Sequence, residues 1–191
     1  MAPLMSSRRR RLATAAALIV LLAVPCLPWS RQVTAQPLAL EHAVKANYLY
    51  KFAPFVEWPA QALPTPASPF LICLIGEDPF GVMIDDAVRG QRLDGHPIQV
   101  RRLTAAAAGT ACHILFVGRS TQQSPADILR SVAGRPVLTV TDKSRGVSGG
   151  MIEFVMRDGR VRFEIDEAAA RASDMAISSK LLGLALAVNR R

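Results

Sequence analysis

The 191-residue chain is poor in the residues from which catalytic and metal centres are built, with three histidines (His42, His96, His113) and three cysteines (Cys26, Cys73, Cys112). The histidines are scattered without the close spacing of metal ligands, so no metal is expected. Neither G-x-G-x-x-G nor G-x-x-x-x-G-K-[ST] occurs, which removes the usual nucleotide cradles. Cys112 and His113 are adjacent, but neighbours on a strand point to opposite faces and make a poor thiol and base. Ser178-Ser179-Lys180 lacks the three-residue spacing of serine–lysine chemistry and reads as a helix cap. Asp85 and Asp86 beside Arg89 read as a solvated helix face with an intrahelical ion pair. No catalytic residue and no cofactor are therefore expected, and the class indicated is a binding protein rather than an enzyme.

Long apolar runs are also scarce. The longest, 12–24, follows the basic Arg8–Arg11 and precedes Val33-Thr34-Ala35, the pattern of a secretory signal peptide over 1–35, cut after Ala35. About 13 apolar residues fall short of the ~20 that span a bilayer, so no stable membrane anchor is expected. Cys26 would suit a lipoprotein, but Pro25 before it does not. The segment holds five arginines and no acid. Removing those five from the 23 basic residues leaves 18 against 15 acidic, so the net charge falls from +8 to +3. With no arginine-rich helix in the remainder, nucleic acid is not an expected partner.

What is present is enough for a single domain over 36–191. The segment 44–59, VKANYLYKFAPFVEWP, carries Tyr48, Tyr50, Phe52, Phe55 and Trp58. Val44, Tyr48, Phe52 and Phe55 form one helical stripe from which Lys45, Asn47 and Lys51 are displaced, and Pro54 ends the helix near Ala53. Buried strands are predicted over 69–76, 112–118 and 136–141, and a more alternating one over 97–103. A helix is predicted to start at Asp78-Pro79 and stop at Gly90, and another to run from Ser124-Pro125 to Gly134. The alternation implies an α/β fold, with a mainly parallel central sheet flanked by helices. Toward the carboxyl end, Asp158-Gly159 predicts a β-hairpin pairing Met156 with Val161, Phe154 with Phe163 and Ile152 with Ile165. That register also opposes Glu153 to Glu164 and Arg157 to Arg160, at some cost unless Arg162 and diagonal neighbours screen them. Asp166 can cap a helix over 167–172, and Ser178 or Ser179 a terminal helix over 180–188. A ligand pocket, if there is one, is expected at the carboxyl ends of the strands, near 76–79, 118–120 and 141–143. With Cys26 in the leader, Cys73 and Cys112 are an even pair in an exported chain and are expected to form a disulfide, two buried thiols being the alternative.

The order and spacing of VKANYLYKFAPFVEWP, FLICLIG, CHILFVG, LTVTD with GGMIEFV, RVRFEID and ISSKLLGLA resemble the YfiR/HmsC-like family of periplasmic proteins over about 40–188. The resemblance implies an α/β fold, a homodimer, and repression by binding the periplasmic sensor region of an inner-membrane diguanylate cyclase, lowering cyclic di-GMP and biofilm formation. It also implies that Cys73 and Cys112 are that family's structural disulfide. Some members have a second cysteine pair near the GGMI loop; 147–154 has none here, so a redox switch is not carried over. Asp166 and Asp174 stand where Asn and Gly are expected, and Asp174 suggests a different local turn. For the partner-binding surface the sequence offers Met175, Ile177, Leu181 and Leu184, whose alternative fate is core packing. A second reading is an envelope small-ligand or cell-wall-binding protein without catalysis.

Overall fold

The computed structural model describes residues 35–191, apart from 64, 66, 108 and 110. Residues 1–34, and with them the body of the expected leader, lie outside the described residues.

Among the described residues the first element is helix α1 (Ala35–Phe52), continued by a 3-10 turn at Ala53–Phe55 where Pro54 withholds its donor. Strand β1 (Val56–Glu57) leads to β2 (Phe70–Ile75), helix α2 (Val82–Val88), β3 (Arg92–Leu93) and β4 (His96–Leu103). Then come β5 (Ile114–Val117), α3 (Pro125–Val132), β6 (Leu138–Asp142), a 3-10 turn at Lys143–Arg145, β7 (Ile152–Arg157) and β8 (Arg160–Asp166). The chain finishes with α4 (Glu167–Arg171), β9 (Ala176–Ile177), α5 (Ser179–Leu182) and β10 (Val188–Asn189).

Eight strands form one sheet in the order β10-β8-β7-β6-β5-β2-β4-β3, while β1 and β9 pair separately. The run β4, β2, β5, β6, β7 is parallel. The chain steps outward from β2 to β4, then returns across β2 to β5, so its direction of winding reverses beside β2. That reversal places α2 and α3 on opposite faces. Alternate residues of β2 show the division: Phe70, Ile72 and Leu74 pack with Phe52 of α1 and Ile84 of α2, whereas Leu71, Cys73 and Ile75 pack with Ile128 and Val132 of α3. All six residues of β2 are buried, as expected of a parallel strand covered on both sides.

The carboxyl-terminal hairpin has the predicted register, from Ile152–Ile165 through Phe154–Phe163 to Met156–Val161. Its apolar face receives α1, where Tyr48 stacks on Phe52 and both rings meet Phe154 and Phe163 at centroid distances of 5.2–6.2 Å. Glu153 and Glu164 are opposed as expected, but the screening cation is Lys143, 2.5 and 2.6 Å from the two carboxylates, rather than Arg162.

Several local expectations are corrected. Helix α2 starts at Val82, three residues late, because Asp78 Oδ1 accepts from the N–H groups of Phe80 and Gly81 in a turn ahead of the helix. Arg92 and Leu93 pair with Pro97 and His96 across an Asp94-Gly95 turn, a second Asp-Gly hairpin that sequence reading passed over. Helix α5 ends at Leu182 instead of continuing to 188. The chain there is drawn to the edge of β8: Leu186 N donates to Phe163 O, Ile165 N donates to Ala187 O, and Val188 pairs with Ile165. Asp174 has φ 55°, the left-handed region that glycine enters freely, so the turn before Met175 is of the glycine type and aspartate occupies it.

Candidate functional site: a strand-end cleft and its charged rim

The carboxyl ends of β4, β2, β5 and β6 open into a cleft of about 890 Å3. Gly76 and Glu77 enter it from β2, Arg119, Ser120 and Thr121 from β5, Leu103 and Thr104 from β4, and Gly146 and Val147 from the turn after β6. The expected position near 76–79 and 118–120 agrees. At the third strand the lining is 146–147 rather than 141–143, because the 3-10 turn folds Lys143 away toward the hairpin glutamates.

Two glycines set this geometry. A Cβ on Gly76 would lie 2.5 Å from Arg119 O, and one on Gly118 would collide with Glu77 O. Their absence lets the loops after β2 and β5 touch, and Glu77 N donates to Arg119 O at 2.7 Å. Gly150 plays a similar part in the short crossover from β6 to β7. The returning chain lies against β6, with Gly150 N and Met151 N donating to the hydroxyls of Thr141 and Thr139. A parallel connection usually needs a dozen or more residues; here nine suffice because threonine side chains take up the backbone donors.

On the rim, Glu77 Oε2 accepts from Arg119 Nε and Nη2 at 3.0 and 2.9 Å, and Oε1 accepts from Arg145. The Arg119 hydrogen bond foremost, with Arg145 assisting, holds the Glu77 carboxyl below its ordinary value. Arg145 also donates to His42 Nε2 at 3.3 Å. Burial first, then the Arg145 charge, lowers the pKa of His42. Next to it lies a feature that periodicity did not disclose: Lys45, displaced from the aromatic stripe of α1, is fully buried. Its ammonium is 2.6 Å from Asp142 Oδ2, 2.5 Å from Glu41 and 3.0 Å from Ser144 Oγ. Asp142 Oδ1 in turn accepts from the N–H and hydroxyl of Ser144 at 3.0 and 2.6 Å. A continuous polar chain thus joins α1 to the cleft rim through the turn after β6.

The other singled-out residues fall elsewhere. Cys73 and Cys112 are joined in a disulfide with Cα atoms 5.9 Å apart, linking β2 to the residues before β5. His113 lies beneath the sheet's other end, its Nδ1 accepting from Leu71 N and its Nε2–H donating to Ala62 O, both at 2.9 Å. With both ring nitrogens engaged and burial lowering its pKa, it serves the fold as a neutral imidazole. Ser178 caps α5 through Leu181 N, and Asp86 pairs with Arg89 as expected; Asp85 is instead held by Arg102, as is Asp78. Of the four residues offered for partner binding, Met175, Ile177 and Leu181 are core residues and Leu184 is 58% exposed. Met175, Ile177 and Leu181 are held inside because β9 pairs with β1 and draws this segment onto the main core.

Fold and site together define a doubly wound α/β domain, disulfide-linked at its centre, whose charged rim side chains are engaged with one another. The YfiR/HmsC-like family model matches residues 42–186, and the chain belongs to that family. Its members are regulators rather than enzymes, and membership implies a role in repressing a diguanylate cyclase. No helix among the described residues is long and apolar enough to cross a membrane.

Proposed function

We propose that this protein is an exported periplasmic regulator that binds the sensor region of an inner-membrane diguanylate cyclase and holds the enzyme in its inactive population. The family match over 42–186 carries this reading. The Cys73–Cys112 disulfide supports it, because such bonds persist in oxidising compartments. Residues 1–35 act as the cleaved leader and 36–191 as one domain, working as a homodimer. Inhibition needs no chemistry: selective binding to one cyclase conformation shifts its equilibrium by the difference in affinity between the two states. Leu184, with Leu186 two residues on, offers exposed apolar contact in the carboxyl-terminal segment.

The test is cellular cyclic di-GMP in a deletion strain, with and without complementation. A rise on deletion that wild type reverses and Leu184→Asp does not reverse, at equal protein level, is the expected result. Unchanged cyclic di-GMP across growth conditions removes the cyclase reading. In that event the strand-end cleft favours the second reading, an envelope ligand-binding protein. Envelope ligands would then raise the melting temperature of the purified protein.

A further inference from the structure

The cleft rim contains a carboxylate held between two arginines, and the carboxylate is the chain's own Glu77. Arginine forks of this kind are how proteins bind the acid group of a ligand. Glu77 is also placed to leave. Its side chain is 41% exposed and that of Arg119 63%, and an ion pair so open to water is weakly held, while Arg145, at 23%, is the more sheltered partner. The backbone beneath is fixed, since Glu77 N is bonded to Arg119 O and neither Gly76 nor Gly118 leaves room for a side chain. The main chain that carries both side chains therefore stays in position when the carboxylate swings away. The cleft lining combines apolar Leu103, Pro125 and Val147 with the exposed Thr104 and Thr121.

We propose that the strand-end cleft binds a small organic carboxylate with an apolar body, whose acid group takes the place of Glu77 on Arg119 and Arg145. The apolar walls bury the ligand's body, and displaced Glu77 turns to solvent. Inorganic phosphate carries suitable charge but nothing for the walls to bury. Occupancy would also reach α1, since Arg145 is the link between Glu77 and His42.

The exported protein is titrated calorimetrically with butyrate, benzoate and phenylacetate, and separately with inorganic phosphate. At least one carboxylate is expected to bind with unit stoichiometry. Arg119→Gln should weaken it about tenfold, the loss of one charge-assisted contact. Glu77→Gln should tighten it, because the internal competitor is gone while the side-chain volume is kept. A merely structural Glu77 predicts the reverse, weaker binding as the rim loosens. The proposal is overturned by no binding of any of the three carboxylates at millimolar concentration, by preference for phosphate over all of them, or by affinities indifferent to both substitutions. It does not rest on the cyclase reading: the titration needs no partner protein, and its failure leaves the cyclic di-GMP experiment unaffected.

Discussion

Lys45 occupies a helix position displaced from the aromatic stripe, and the reason it is buried lies across the interface. Asp142 ends a strand that is buried along its whole length, and its carboxylate would be a buried charge without a cation facing it. The residues contain one hint of this, Glu41 four positions before Lys45, although such a pair is ordinary on an exposed helix. What the sequence could not supply was Asp142 as third member, 97 residues away. Removing one partner of a buried pair strands the other, so Asp142→Ala is expected to destabilise the protein by about 3 kcal/mol, with Glu41 retained as a lesser partner for Lys45. Urea unfolding measures it, and a loss under 1 kcal/mol would mean that water reaches the ammonium readily.

Among the elements, those governed by local chemistry were legible. The Asp158-Gly159 turn specified its own hairpin register, and Ser124-Pro125 marked the start of α3, where Ser124 Oγ accepts from Asp127 N. Elements decided by distant partners were not. The stretch 183–189 has enough leucine, alanine and valine for a helix, yet the open edge of β8 draws its end, Val188–Asn189, into a short strand. The meeting of the loops after β2 and β5 depends on glycine in the same way, since Gly76 and Gly118 look in sequence like ordinary strand terminators. Gly118→Ala is expected to force those loops apart and lower stability by about 2 kcal/mol through overpacking. Thermal unfolding would record this, and a neutral result would show the Glu77 carbonyl able to move aside.

For the molecule as a whole, the pH response should be set by histidines before carboxylates. Folding lowers the pKa of His42 and His113 below the ordinary 6.5, so the folded state resists protons that the unfolded chain accepts. Their contribution is complete above about pH 7 and is lost as pH falls through 6.5 toward the lowered folded values. Glu77, Asp85 and Asp127 are also lowered, but their contributions fade only in the more acid range where carboxylates titrate. The melting temperature should therefore drop between about pH 7 and about pH 5, and His113→Asn should flatten that drop. A drop of equal size in the variant would assign the effect elsewhere. The α/β class and the disulfide pairing were readable at this scale, and for Met175, Ile177 and Leu181 the sequence left core packing open beside a partner surface. The structure buries all three, with β9 paired to β1.

The sheet's two faces are unequal. The α1 and α2 side holds most of the buried residues, while the α3 side has a smaller cluster that includes Cys73 and Cys112. The covalent link thus lies in the layer that hydrophobic burial secures least. Such a molecule should open in stages once reduced, the thinner layer first, as a sub-global unit distinct from the rest. Amide hydrogens of α3 would then exchange with solvent deuterons faster in the dithiol form, while those of α1 keep their protection. Uniform acceleration along the chain would instead reveal one indivisible cooperative unit.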